Sequence, residues 1–227
     1  TAVATTTGTA IGGGIGFSNA GGKGDVTITG GNVYAYNHAN QWNIPSSAIG
    51  GAGSKNSKGS EGKITISGGK IYAQSASGTA IGGGSSRNKE GGNGVVTISG
   101  GQVIAKTLAP NSAGIGGGTT CSLSENDATS TINGNGGSAT ITISGNPIIR
   151  TGSIGGGYPG TKKDGEPGTG KIGSAKITIS GGDIQAQFVM ADSPDNSFNM
   201  SGGLIRNSDT SDDEYTCIQE NGAAVYM

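Results

Sequence analysis

Three short motifs recur along this chain in a fixed order, and this repetition constrains the fold more than any other feature. The first motif is Ala-Ile-Gly-Gly-Gly at residues 10–14. The second is Val-Thr-Ile-Thr-Gly-Gly at 26–31, and the third is Val-Tyr-Ala at 33–35. Successive copies of the second motif begin 38, 32, 45, 36 and 21 residues apart. Constant motifs with variable spacing indicate one repeated structural unit that carries loops of different lengths.

The motifs predict strands that stack into a solenoid. The second motif alternates apolar and polar side chains, which is the period of a strand with one buried face. The shortest spacing, 21 residues, leaves room for three short strands and tight corners. We therefore predict an all-β, right-handed parallel β-helix of about six to seven coils, each with three short strands, and long loops at one corner. The predicted core columns are Val26, Ile64, Val96, Ile141, Ile177 and Phe198; Ile28, Ile66, Ile98, Ile143, Ile179 and Met200; Val33, Ile71, Val103, Ile148, Ile184 and Ile205; and Ile11, Ile49, Ile81, Ile115 and Ile154.

The composition agrees with a solenoid and argues against several other classes. Gly supplies 48 of the 227 residues, without a Gly-X-Y period, and Gly disfavours helix interiors. A net charge of −1 does not favour nucleic acid, and the chain has no apolar run long enough to span a membrane. The glycines are expected at corners, where a positive φ or a missing Cβ is required. Polar inserts at 15–25, 52–63, 85–94, 119–139 and 158–175 predict surface loops stacked into one ridge.

We predict that residues 1–227 form a single solenoid domain. Because the ends of a solenoid need caps, we also expect that the domain is a fragment of a longer protein or that another chain covers its ends. Residues 221–226 resemble a seventh copy of the repeat. Acidic residues gather before them, at Asp209, Asp212, Asp213 and Glu214. A solvated polar end explains this cluster. A Ca²⁺ site is the alternative, since hard cations bind several oxygen ligands. No other cofactor is predicted.

The residues needed for common catalytic sites are scarce. His38 is the only histidine, and Cys121 and Cys217 lack metal-ligand spacing. No catalytic residue is predicted, although loop carboxylates such as Glu61 and Glu90 leave open a glycan-cleaving enzyme. The outward positions of the second motif carry hydroxyl groups: Thr27, Thr65, Thr97, Thr142 and Thr178, and Thr29, Ser67, Ser99, Ser144, Ser180 and Ser201. Threonine stacking on itself explains these rows, and an ice-binding surface is the alternative.

The outward face of the third motif predicts a binding surface. Its column is Tyr34, Tyr72, Ile104, Ile149, Gln185 and Arg206, with Lys70, Gln102 and Asp183 on one side and Tyr36, Gln74, Lys106 and Gln187 on the other. Aromatic rings stack on the apolar faces of sugars while amides bond to hydroxyls. The candidate ligand-binding residues are Tyr34, Tyr36, Trp42, Tyr72, Gln74 and Gln185. In the alternative interpretation, tyrosine shields the sheet and the polar side chains keep it soluble.

Over residues 8–207 the repeated Ala-Ile-Gly-Gly-Gly and Ile-Thr-Ile-Ser-Gly-Gly motifs resemble the Gly-rich repeats of bacterial cell-surface proteins. Those repeats are similar to right-handed β-helix, pectate-lyase-like families, which include carbohydrate-binding domains of Gram-positive gut and cellulolytic bacteria. The resemblance implies a secreted or cell-surface module that binds a polysaccharide or host glycan, or mediates adhesion, beside other domains of its parent chain. A polysaccharide-cleaving hydrolase or lyase and a structural stalk are the alternatives.

Overall fold

The computed structural model describes residues 1–5, 8–38, 44–109, 111–120, 134–160, 169–189 and 193–207. In these residues the chain forms fifteen strands, and every strand pair is parallel. The strands are β1 (Ala2–Ala4), β2 (Ile11–Gly12), β3 (Gly24–Ile28), β4 (Asn32–Asn37), β5 (Ile49–Gly50), β6 (Gly62–Ile66), β7 (Lys70–Ser75), β8 (Ile81–Gly82), β9 (Gly94–Ile98), β10 (Gln102–Thr107), β11 (Ile115–Gly116), β12 (Ala139–Ile143), β13 (Ile148–Gly155), β14 (Ala175–Val189) and β15 (Ser197–Asn207).

The described strands wind into a parallel β-solenoid of about five turns, slightly fewer than the six to seven coils expected for the chain. Each turn has three faces, named here by their residues. The Thr face contains β3, β6, β9, β12 and the first parts of β14 and β15. The Tyr face contains β1, β4, β7, β10, the start of β13 and the later parts of β14 and β15. The Ile-Gly face contains β2, β5, β8, β11 and the end of β13. The right-handed sense of the winding stays a prediction.

The core consists of the predicted columns of branched aliphatic residues. The twelve largest side chains with less than 2% exposure are all isoleucines, which are Ile49, Ile64, Ile66, Ile71, Ile81, Ile98, Ile115, Ile141, Ile143, Ile149, Ile154 and Ile177. Stacked isoleucines lie about 4.8 Å apart across the parallel pairs. Burying one such side chain stabilises the fold by roughly 1.5–3 kcal/mol. The solenoid is therefore held together by contacts between turns, because a single turn has no interior of its own.

One core position was predicted wrongly. Ile149 is fully buried and pairs with Val103 and Ile184, whereas Ile148 is 43% exposed. The corner that precedes this strand contains Ser144, Gly145, Asn146 and Pro147, one residue more than the corresponding corners. Because side chains alternate along a strand, this extra residue moves Ile148 to the outside. The outward column of the Tyr face therefore contains Arg150 where Ile149 was expected.

The last described turn covers its apolar residues less well than the turns before it. Met200 pairs with Ile179, as the predicted column requires, yet it is 38% exposed. Phe198 and Ile205 are only partly buried. The strand register thus determines which residues belong to a core column. Full burial of such a residue also needs a neighbouring turn on each side. The acidic cluster at 209–214 and the proposed seventh copy at 221–226 lie outside the described residues.

The inserts after each Ile-Gly-Gly-Gly motif stack on one another, as predicted, through parallel bridges that join Gly16 to Ser54, Ser54 to Ser86, and Ser86 to Thr120. Their bases are not surface loops, however, because Ser54, Ser85 and Thr119 are fully buried. Two glycine-rich columns form a second packed region here, the glycine layer, which consists of Gly14, Ala52, Gly84, Gly118 and Gly157, and of Gly22, Ser60, Gly92, Gly137 and Gly173.

Backbone hydrogen bonds run through the glycine layer from turn to turn. The Gly92 N–H donates to the Gly84 carbonyl at 2.7 Å, and the Gly118 N–H donates to the Gly92 carbonyl at 2.8 Å. A Cβ on Gly118 would lie 2.0 Å from the carbonyl oxygen of Gly84, a separation that real side chains do not reach. Glycine is required here for close approach of backbones, whereas at corners such as Gly101 a φ of +89° requires it.

Candidate functional site

Three tyrosines form a contiguous aromatic cluster on the Tyr face. Tyr34 and Tyr72 are paired across β4 and β7, so their Cα atoms lie about one strand spacing apart. Their ring centroids are 6.5 Å apart, and the centroids of Tyr36 and Tyr72 are 5.4 Å apart. The planes are tilted by 33° and 39°, an arrangement within the range that aromatic pairs favour. Because Tyr34 is 44% exposed and the other two are half-buried, the cluster presents ring surface to solvent.

Gln74 and His38 extend this cluster along its strands. The Tyr72 Oη donates a hydrogen bond to the Gln74 Oε1 at 2.8 Å, which fixes both side chains. The His38 ring stacks on Tyr36 with a centroid separation of 6.0 Å and an interplanar angle of 1°. The structure therefore unites four of the predicted residues, Tyr34, Tyr36, Tyr72 and Gln74, in one surface. The sequence prediction missed His38, although its position two residues after Tyr36 places it on the same side of the strand.

The other two predicted residues do not join the cluster. Gln185 occupies the same outward column as Tyr72, but three turns away, at roughly 14 Å. Trp42 lies outside the described residues. Gln187, expected beside the outward column, is only 3% exposed. Gln187 lies near Gly152 of the neighbouring strand β13. At this point β13 passes from the Tyr face to the Ile-Gly face without a loop, so the sheet bends inward.

Positive charge surrounds the tyrosine cluster. Lys70 begins strand β7 two residues before Tyr72, and Lys106 pairs with Gln74 across β10 and β7. Arg150 lies two turns beyond Tyr72 in the same outward column. Lys70 and Arg150 are exposed, and Lys106 is half-buried. The sequence prediction placed the lysines beside the cluster, but it missed Arg150 because of the extra residue in the preceding corner.

The one acidic residue of this face within the described residues is Asp183. The Arg206 Nε donates to its Oδ1 at 3.2 Å, and a second hydrogen bond joins the Arg206 Nη2 to the Asp183 Oδ2. This pairing lowers the pKa of Asp183, and the charge of Arg150 lowers it further. The same pairing raises the pKa of Arg206. Asp183 therefore stays ionised at any ordinary pH and neutralises one cation at the end of the face.

Three described carboxylates of the insert ridge are each paired with a lysine. Asp25 contacts Lys63 at 3.2 Å. Glu61 contacts Lys23 at 3.8 Å, and Glu90 contacts Lys58 at 3.3 Å. Each pair joins neighbouring turns, so these carboxylates help to hold the loop stack together. The carboxylates at 125, 127, 164 and 166 lie outside the described residues, as do Cys121 and Cys217.

The Thr face carries the predicted threonine row in register. Thr27, Thr65, Thr97, Thr142 and Thr178 are paired from turn to turn. The outward column beside this row contains the charged residues Asp25, Lys63 and Lys176. The Thr face therefore offers hydroxyl and methyl groups flanked by charges, whereas the Tyr face offers aromatic rings, amides and cations.

The described ranges contain no group of three or more His, Cys, Asp or Glu residues that could hold a metal ion. They also contain no helix that is long and apolar enough to cross a membrane. Comparisons with protein-family models, with curated proteins and with solved structures find no match for this chain. The chemistry of the Tyr face is therefore the basis for a functional interpretation.

Proposed function

We propose that this chain is a carbohydrate-binding or adhesion module of a bacterial surface protein, and that it acts outside the cell without catalysing a reaction. The tyrosine cluster supports this proposal, because Tyr34 and Tyr72 present ring surface on a regular parallel sheet. A sugar ring has an apolar face that stacks on an aromatic side chain and hydroxyls that bond to amides. Gln74, which is held by the Tyr72 hydroxyl, supplies such an amide beside the rings.

The geometry of the face suits a chain-like ligand better than a small one. The outward column repeats every turn, at about 4.8 Å, so equivalent contacts recur along the solenoid axis. A polysaccharide that lies along this axis would contact the tyrosines at one end of the column. It would contact the Gln185 side chain about four turns away from Tyr34. The strands that carry the tyrosines, β4 and β7, are hydrogen-bonded on both sides, so little ordering entropy is lost on binding.

Binding to immobilised plant and host glycans tests the proposal. The Tyr34→Ala/Tyr72→Ala variant removes two rings, each worth about 1 kcal/mol of contact, and is expected to bind roughly thirtyfold more weakly. The matched control is Thr97→Ala/Thr142→Ala, which changes the Thr face by a similar number of substitutions. Equal retention of the tyrosine variant and the wild type would remove the support for this surface.

A structural stalk is the outcome that would replace this proposal. It is favoured if the wild-type chain binds none of the glycans, or if neither double variant weakens the binding that is observed. A cleaving enzyme is favoured instead if reducing sugars or unsaturated products appear when the chain is incubated with plant or mucin polysaccharides.

A further inference from the structure

Charge is unevenly distributed along this chain. Residues 1–207, which contain the repeats, have 14 Lys and Arg against 10 Asp and Glu, an excess of four positive charges. Residues 208–227 have five Asp and Glu and no Lys or Arg, so the net charge of −1 for the whole chain combines a cationic repeat region with an anionic C-terminal segment. On the Tyr face the cations are Lys70, Lys106, Arg150 and Arg206, and only Asp183 opposes them. Arg206 pairs with Asp183 and lies four turns from Tyr72, whereas Lys70, Lys106 and Arg150 lie nearer the tyrosines.

Three cations lie on different sides of Tyr72. Lys70 is two residues away along the strand, at about 7 Å between Cα atoms. Lys106 lies on the next turn and two residues further along, at about 8 Å. Arg150 lies two turns beyond, at about 10 Å in the same column. Long side chains at these distances reach the substituents of a sugar ring that is stacked on Tyr72.

We propose that the preferred ligand of the Tyr face is a glycan whose sugars carry negative charges, which Lys70, Lys106 and Arg150 bind directly. This inference rests on the proposed carbohydrate-binding function and specifies its ligand class. Charge-assisted hydrogen bonds to ionised groups are shorter and stronger than neutral ones. Carboxylate and sulfate groups share this chemistry, so the experiment distinguishes the two sources.

The experiment measures retention of the full chain by affinity gel electrophoresis in four polymers. Polygalacturonate is compared with its methyl-esterified form, which has the same sugar chain without the charge, and dextran sulfate is compared with dextran. We expect retention by at least one charged polymer and at least tenfold weaker binding to its neutral counterpart. Raising NaCl from about 50 mM to about 500 mM should weaken binding to the charged polymer, because salt screens exposed charges. Retention by only polygalacturonate or by only dextran sulfate identifies the charged group.

The variant Lys70→Gln/Lys106→Gln/Arg150→Gln removes the three cations from the Tyr face. It is expected to bind the charged polymer about tenfold more weakly, since each exposed charge contact is modest. The matched control removes three exposed cations elsewhere, in Lys89→Gln/Lys171→Gln/Lys176→Gln, and is expected to bind as the wild type does. Binding should also persist in EDTA, because the lysines and arginine contact the ligand without a bridging metal.

Equal binding of charged and neutral polymers would overturn the charge preference and leave the carbohydrate-binding proposal intact. An equal loss in the two triple variants would also overturn it, because total charge and not the Tyr face would then be responsible. Loss of binding in EDTA would overturn direct contact. Failure to bind any of the four polymers would count against both proposals.

Discussion

A methyl group added to the glycine layer should destabilise the solenoid, and Gly118→Ala tests this directly. The new Cβ would lie 2.0 Å from the carbonyl oxygen of Gly84 and 2.6 Å from its carbonyl carbon. Both contacts are with the backbone of the neighbouring turn, which cannot move aside as a flexible side chain would. The φ of Gly118 lies outside the left-handed region, so the expected effect comes from crowding alone.

The magnitude follows from the contacts that must change. Overpacking costs about 1–3 kcal/mol. Separating the two turns also stretches the bond from the Gly118 N–H to the Gly92 carbonyl, which is 2.8 Å long. A buried polar group left without its partner costs about 1–3 kcal/mol. We therefore expect Gly118→Ala to lower the free energy of unfolding by about 2–6 kcal/mol.

The control is Gly14→Ala, in the same column of the glycine layer. A Cβ on Gly14 has no atom within 4 Å, because Gly14 lies in the first turn of the stack. This substitution should change the unfolding free energy by less than about 1 kcal/mol, with a small gain from the less flexible unfolded chain. Ala52, a native residue of this column, shows that one methyl group is accommodated beside the first turn.

Urea-induced unfolding followed by far-ultraviolet circular dichroism measures both variants. With an m-value of about 3 kcal/mol per M, the midpoint of Gly118→Ala should fall by about 0.7–2 M. The close-packing argument is refuted if Gly118→Ala unfolds within about 0.5 kcal/mol of the wild type. It is also refuted if Gly14→Ala is equally destabilised.

Two further predictions test the register and the ion pair of the Tyr face. Ile149→Ala should lower the unfolding free energy by about 2–5 kcal/mol in urea titrations, whereas Ile148→Ala should cost less than about 1 kcal/mol; a reversed order would restore the register expected from sequence. In Arg206→Gln, the pKa of Asp183 should rise towards its ordinary value, as measured by a carboxyl NMR titration, because the guanidinium lowers it in the wild type. The pair therefore contributes to stability at pH values above the unfolded-state pKa of Asp183, near 3.9. This contribution should be lost as the pH falls through the lowered pKa that Asp183 has in the folded protein. An unchanged titration of Asp183 in Arg206→Gln would contradict the pairing.

The sequence predicted the core because each apolar column has a local signature. Ile64 and Ile66 alternate with polar residues, and this alternation shows which side faces inward before any neighbour is known. The prediction failed at Ile148 because two adjacent isoleucines fit either register, and only the length of the preceding corner separates them. A corner of four residues instead of three gives no signal in the alternation itself.

The first column of the glycine layer was expected, because Gly84 and Gly118 end copies of the first motif, where a missing Cβ was predicted. The second column was missed, because within one repeat Gly92 and Gly137 look like flexible loop residues, and nothing local distinguishes a mobile glycine from a crowded one. Glycine is required at these positions because the carbonyl groups of the adjacent turns leave no room for a Cβ. The tyrosine cluster, in contrast, was predicted well, because the equivalent positions of Tyr34 and Tyr72 in consecutive repeats place them side by side.

The interlocked glycine layer also determines how such a molecule can change in length during evolution. A deletion that removes residues of this layer from one winding would set its carbonyl groups against the wrong neighbours on both sides. Gain or loss of an entire winding, by contrast, recreates the same contacts at the new junction. Gene duplication or loss of complete repeats would thus lengthen or shorten the rod, and with it the number of sugars that it could span, while the width of its sides stayed constant.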